Sequence, residues 1–234
     1  IGPAMFACAK GADTKVVAAS IKEQISFISL KELAPYFDGD ATTAFKRFRA
    51  DKGRKAVVTT FPVGSVPQTV LQNWLINVLN ADQGDIEIIY QGQAQVQQSL
   101  ATGAVDAAAI LEPIVTNILK SVDGASVIAK GSQMFAGQPG AVLAVREALI
   151  AQHPDVVKAL VDAHARATDI LNDNLAEAVG PVRKYVGGGR MSEEIVAAAI
   201  TASRGTFVAD PNQIIEGSIR MRDLQKKLGT LKKD

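Results

Sequence analysis

Short, near-continuous apolar runs alternate along this chain with stretches in which apolar residues recur every three or four positions. The runs at 16–19, 27–30, 56–60, 86–90, 107–111, 126–129 and 141–145 predict strands. They lack the strict alternation of a sheet with one wet face. They therefore predict α/β architecture, with mostly parallel sheets covered on both faces by helices. Between the runs, Val70, Leu71, Trp74, Leu75, Val78 and Leu79 mark one face of a helix, and Pro67 sits early in it, where a helix tolerates proline. Shorter helices are predicted at 94–102, closed by Gly103, and from Pro113 to about 120.

After Val145 the pattern changes and helices alone follow. Pro154 starts one whose buried stripe would be Val157, Leu160, Val161, His164, Thr168 and Leu171. A segment at 174–185 is helical but interrupted at Gly180-Pro181. Ser192 caps a helix running to 203, and Pro211 opens the last, which carries Ile215, Ile219, Leu224 and Leu228. An all-helical tail has no sheet of its own and must cover one made earlier. The charged, strand-poor stretch 39–55 reads as a connection between lobes, and the Gly- and Pro-rich stretch 133–140 as the return. The predicted plan is discontinuous, with residues 1–38 and 138–234 in lobe 1 and residues 39–137 in lobe 2.

Composition narrows the classes. The chain has 234 residues, 25 Lys and Arg against 24 Asp and Glu, and aromatic residues make up 5%. Without a clustered basic surface or stacking aromatics, a nucleic-acid partner is not expected. The tail lysines, Lys226, Lys227, Lys232 and Lys233, read as a solvated helix end. No apolar run reaches the ~18 residues of a membrane span. The opening residues, IGPAMFACAKGAD, carry neither the basic start nor the long apolar core of a leader peptide. Cys8 is the one cysteine, expected to be a small buried residue on a short helix.

Candidate chemistry gathers at strand ends. In 56–70, AVVTTFPVGSVPQTV, a strand runs through Pro62, Gly64, Ser65 and Pro67 into a helix. The first turn of a helix leaves N–H groups unpaired and carries positive potential, so it can hold a sulfonate, carboxylate or phosphate. Ser65 capping its own helix is an equal reading. The spacing is not that of a Walker loop, and Gly187-Gly188-Gly189-Arg190 reads as a helix-to-helix turn. Glu112 ends one strand and begins a helix, where it could accept a hydrogen bond from a ligand or complement its own helix terminus. Gln91 and Gln93 follow another strand with the same claim. The two histidines, His153 and His164, pair with no cysteine, no zinc spacing appears, and no nucleophile elbow is present. No cofactor or metal is implied.

Four segments, in order, resemble a known family. IGPAMFACAKGADTKVVAAS is similar to its Gly-Pro helix and following strand. GRKAVVTTFPVGSVPQTVL is similar to its strand, Gly-Ser loop and helix. QVQQSLATGAVDAAAILEPIV is similar to its helix, Val-Asp strand and Glu-Pro close, and HPDVVKALVDAHARATDILNDN to the helix after the crossover. The family is the nitrate/sulfonate/taurine group of ABC-transporter substrate-binding proteins, which takes in thiamine-pyrimidine-synthase-like sequences. The resemblance implies the two-lobed periplasmic binding protein fold (type II), with a small, anionic ligand held in a cleft. It implies an extracytoplasmic monomer that delivers its ligand to permease subunits and breaks no bond. Ligand contacts are implied at Gly2, Pro3 and Ser20 from the first lobe. From the second they are implied at Thr60, Gly64, Ser65, Val66, the turn after Tyr90, and Glu112. The family begins with a further strand and helix ahead of the Gly-Pro segment, so the natural chain is expected to start upstream of Ile1. Leu111 stands where the family carries an aromatic, which leaves no stacking ring at that position. An enzyme on the same fold and a ligand-sensing domain are the alternative readings. The pyrimidine synthases carry a cysteine-rich motif and key histidines, which this chain does not match.

Overall fold

The computed structural model describes residues 1–186 and 189–231. Of the glycine cluster noted above, Gly187 and Gly188 lie outside the described residues, as do Lys232 and Lys233 of the tail. The chain divides into two compact units, residues 1–24 with 137–234 and residues 25–136.

The second unit is built on five strands: β2 (Ser26–Ser29), β3 (Ala56–Thr60), β4 (Ile86–Tyr90), β5 (Ala107–Ile110) and β6 (Ser126–Ala129). Their order is β4-β3-β5-β2-β6. β3 is parallel to both β4 and β5, while β2 runs antiparallel to β5 and β6. The sheet is thus mixed, and its parallel part is confined to strands joined by helical crossovers. Both faces are covered, as the near-continuous apolar runs require. Ile28 packs with Val96, Leu100, Ile110 and Ile118 on helices α4 (Gln93–Ala101) and α5 (Ile114–Ser121) and on β5. Its neighbour Phe27 points the other way, and its ring lies 4.5 Å from that of Trp74 and 5.8 Å from Phe37.

Two expectations change here. Residues 25–38 sit with the second unit, because β2 takes its hydrogen-bond partners from β5 and β6. The stretch 39–55 is no simple connection, since it forms α2 (Ala44–Lys52), which buries Ala44, Phe45 and Phe48. Six basic residues around these three apolar ones hid the helix from a pattern search. Helix α3 (Val66–Asn73) follows β3 and runs into a π-helical turn over Trp74–Val78.

The first unit opens with α1 (Gly2–Ala9) and β1 (Thr14–Lys22), which pairs antiparallel with β7 (Pro139–Arg146). Its strands are therefore not parallel, contrary to expectation. A short α6 (Gly131–Met134) closes the second unit just before the chain returns. After β7 come α7 (Glu147–Gln152), α8 (Pro154–Asp173), α9 (Leu175–Tyr185), α10 (Glu193–Ala202) and α11 (Ile215–Lys227). α9 continues through Pro181 where an interruption was expected. On α8, Val157 and Thr168 are buried as predicted, but Leu160 is 41% exposed and His164 is half-buried. Cys8, expected to be buried, is exposed on α1. A small core of Ala19, Val208 and Ile214 with Val142 fixes β1 beneath the chain that precedes α11. No helix among the described residues is long and apolar enough to cross a membrane.

Candidate functional site

The strand order sets where a site can form in the second unit. From β3 the chain crosses through α3 to β4 on one side. From β4 it crosses through α4, past β3, to β5 on the other side. From β5 it moves further away, through α5 to β6. The neighbouring parallel strands β3 and β5 thus send their following loops in opposite directions. Such a switch point opens a crevice at the carboxyl edge of a sheet. The loop after Thr60, the turn after Tyr90 and Glu112 all lie at this edge, because β3, β4 and β5 are parallel.

The loop after β3 is held by its own hydrogen bonds. Gly64 takes the left-handed conformation (φ 86°), which glycine adopts without steric cost. Its N–H donates to Gln68 Oε1 at 3.1 Å, and the Ser65 N–H donates to the Pro62 carbonyl at 3.0 Å. Both are therefore engaged within the chain, which removes two donors from the cradle expected at Gly64–Val66. Ser65 is the N-cap of α3, and its Oγ accepts from the Gln68 N–H at 3.4 Å. An oxygen that accepts this bond still has its own hydrogen to give. The capping and ligand-binding readings of Ser65 are therefore compatible: a lone pair serves the helix, and that bond does not use the hydroxyl hydrogen. The Val66 side chain is buried. Gln68, itself buried, is a determinant that the sequence reading missed. Nothing in its spacing distinguishes it from an ordinary helix glutamine.

Thr60 is fully buried, and its hydroxyl donates to the Ala109 carbonyl at 2.9 Å. Its own carbonyl accepts from the Gln91 N–H at 2.9 Å. Thr60 thus joins β3 to β5 and to the chain after β4, with its hydroxyl and its carbonyl both engaged within the chain. Gln91 turns its Oε1 inward to accept from Thr59 Oγ1 at 2.9 Å and from Ser99 Oγ at 3.0 Å, while Gln93 is exposed at the start of α4. Glu112 precedes a cis peptide bond to Pro113. One carboxylate oxygen, Oε2, accepts from the Thr116 N–H at 3.0 Å. Burial pushes the Glu112 carboxyl above its ordinary range, and the hydrogen bonds from Thr116 pull it back in part.

In the first unit, Gly2 and Pro3 lie in the first turn of α1. Ser20 lies on β1, with its Oγ 3.4 Å from Nε2 of His164 on α8. Among the described residues no group of three or more His, Cys, Asp or Glu is placed to hold a metal ion.

Residues 1–179 match the NMT1-like family. The chain belongs to that family. Its fold is that of two-lobed periplasmic binding proteins. The aliphatic sulphonate binding protein SsuA of Escherichia coli aligns with 99% of this chain and 70% of its own, at 17% identity and a TM-score of 0.76. The ligand-binding component of an ABC-type import system from Staphylococcus aureus, a structure with zinc bound, covers 100% of this chain and 73% of its own (18% identity, TM-score 0.75). The alkanesulfonate-binding protein SsuA of Xanthomonas axonopodis pv. citri, bound to MOPS, covers 98% and 73% (19% identity, TM-score 0.71). Among curated proteins, none matches the chain in sequence.

Proposed function

We propose that this NMT1-like protein is the solute-binding component of an ABC importer and that it captures a small organic anion. The observation that carries the ligand class is the crevice edge at the β3/β5 switch point. There the N-terminus of α3 contributes positive potential, and Ser65 keeps a hydroxyl hydrogen free to donate. Glu112 adds an acceptor at the same edge, which suits a ligand that carries an amine or hydroxyl besides its anionic group. In the first unit the reading extends to Gly2, Pro3 and Ser20. Solved structures of the same fold that are named for sulphonate binding support the same class. Function here is capture without turnover, in an extracytoplasmic monomer. Differential affinity for the ligand-bound state drives the conformational shift that permease subunits would read.

The test is native mass spectrometry of the purified protein before and after mild denaturation. Release of a small organic anion supports the reading. Ser65→Ala should then weaken binding of that anion by about 0.5–3 kcal/mol, the range for one hydrogen bond to a charged partner. A protein that stays empty after exposure to sulfonates, carboxylates and heterocycles refutes it and returns the enzyme alternative to consideration.

A further inference from the structure

Gln68 carries two amide hydrogens that the fold leaves idle. It lies in the first turn of α3 and is only 4% exposed. The Gly64 N–H can only donate, so the amide atom 3.1 Å from it is Oε1, the acceptor. That bond fixes the amide and leaves the hydrogens of Nε2 for another partner. Nε2 donates to no group among the described residues. Nor is it sealed off from solvent. It shares its carbon with Oε1, so it stands where the loop after β3 meets the mouth of α3. At such depth an amide with idle hydrogens is costly, and a molecule from outside the chain must complete it.

The opening turn of α3 narrows what that molecule is. The Ser65 N–H is taken by the Pro62 carbonyl, the Gln68 N–H by Ser65 Oγ and the Thr69 N–H by the Ser65 carbonyl, while Pro67 has no N–H. The Val66 N–H is left without a partner among the described residues. An unpaired backbone donor at a helix N-terminus and a buried amide beside it both call for an acceptor, and the helix end favours a negative one. No Lys or Arg stands in the loops of this edge, 61–66, 91–92 and 111–113, so the donors there are neutral. All of them belong to the second unit. We propose that Gln68 is a ligand-binding residue whose side-chain amide, beside the Val66 N–H and the Ser65 hydroxyl, donates to the anionic group of the ligand. This rests on the anion-binding reading above and adds to it a donor that also holds the Gly64 loop in place.

Two measurements on the full chain test it, with ethanesulfonate as the probe. In ¹⁵N-labelled parent protein, the side-chain amide signals of Gln68, assigned by their absence from the Gln68→Met spectrum, should shift on saturation with ethanesulfonate. Signals that stay in place while the anion binds overturn the proposal. The second measurement is calorimetric titration. Gln68→Glu keeps an oxygen for the Gly64 N–H but sets a negative oxygen where Nε2 stood, so binding should fall at least about tenfold, the loss of one hydrogen bond to a charged group. A merely structural role, holding Gly64, survives in Gln68→Glu and is lost in Gln68→Met. Full affinity in Gln68→Glu with a loss only in Gln68→Met therefore overturns the proposal. Binding that Ser65→Ala weakens while both Gln68 variants stay within about twofold of the parent refutes this proposal alone. Failure of the parent protein to bind ethanesulfonate, or any anion of the panel, refutes the functional reading and the proposal with it.

Discussion

Asp106 is the residue whose loss should most disturb the second unit. Its side chain is 8% exposed and accepts from Arg54 Nη1 at 2.6 Å, Arg54 Nη2 at 2.7 Å and the Val57 N–H at 2.8 Å. Its backbone joins three strands: its N–H donates to Val57 O at 2.8 Å, and its carbonyl accepts from the Leu30 N–H at 2.8 Å. Asp106→Ala deprives the Val57 N–H of a charged acceptor, which costs about 1.5–3 kcal/mol. The Arg54 side chain retains 45% exposure and can turn to water, so its half of the pair adds only about 1 kcal/mol. The expected loss is about 3 kcal/mol. Asp106→Asn keeps an oxygen for Val57 but loses the charge, and should cost roughly half as much. Trp74, the single tryptophan, is buried in this unit and ringed by Phe27 and Phe37. Its fluorescence in a urea titration therefore reports this unit's unfolding. With a slope of about 2 kcal/mol per molar urea, Asp106→Ala should lower the midpoint by about 1.5 M. A shift below about 0.3 M would refute the account of Asp106 as the junction of β2, β3 and β5.

Three further outcomes are expected. Ser65→Asp keeps a good N-cap but sets a negative charge at the mouth of α3. Thermal stability should change by less than about 0.5 kcal/mol while ethanesulfonate binding falls at least about tenfold, and retained binding would remove Ser65 from the site. Glu112 has its folded-state pKa raised, chiefly by burial. Its contribution to stability is thus fully present below the ordinary carboxyl value of 4.5 and is lost as pH rises through the folded value. Glu112→Gln should flatten that part of the stability–pH curve measured by denaturation, and an unchanged slope would contradict the burial argument. Gly217 on α11 leaves no room for a side chain, since a Cβ there would stand 1.7 Å from the Gly137 carbonyl oxygen, whereas Gly180 on α9 meets nothing within 4 Å. Gly217→Ala should therefore destabilise by roughly 3 kcal/mol or more, and Gly180→Ala should stabilise by about 0.5–1 kcal/mol, as read by chemical denaturation.

The one-dimensional pattern located most elements because strand and helix periodicities are local. The runs at 56–60, 86–90 and 126–129 are strands with those bounds, and the helices after Pro113, Pro154 and Ser192 start within a residue of their signals. What the pattern could not supply is pairing. Whether β2 belongs with the strands before it or after it depends on hydrogen bonds to β5 and β6, more than seventy positions away along the chain. The helix over Ala44–Lys52 escaped notice because its buried stripe is three residues wide.

At the candidate site the division is the same. The sequence by itself placed Gly64, Ser65 and Glu112 at strand ends, since a strand followed by a Gly-Ser or Glu-Pro step and then a helix is a local signal. Only the tertiary structure decided which polar groups remain available there. The hydroxyl of Thr60 is taken by Ala109, 49 positions away, and the Ser20 hydroxyl lies 3.4 Å from Nε2 of His164, 144 positions away. Hydrogen-bond saturation is a property of groups brought together by packing. No spacing of residues along a chain encodes it.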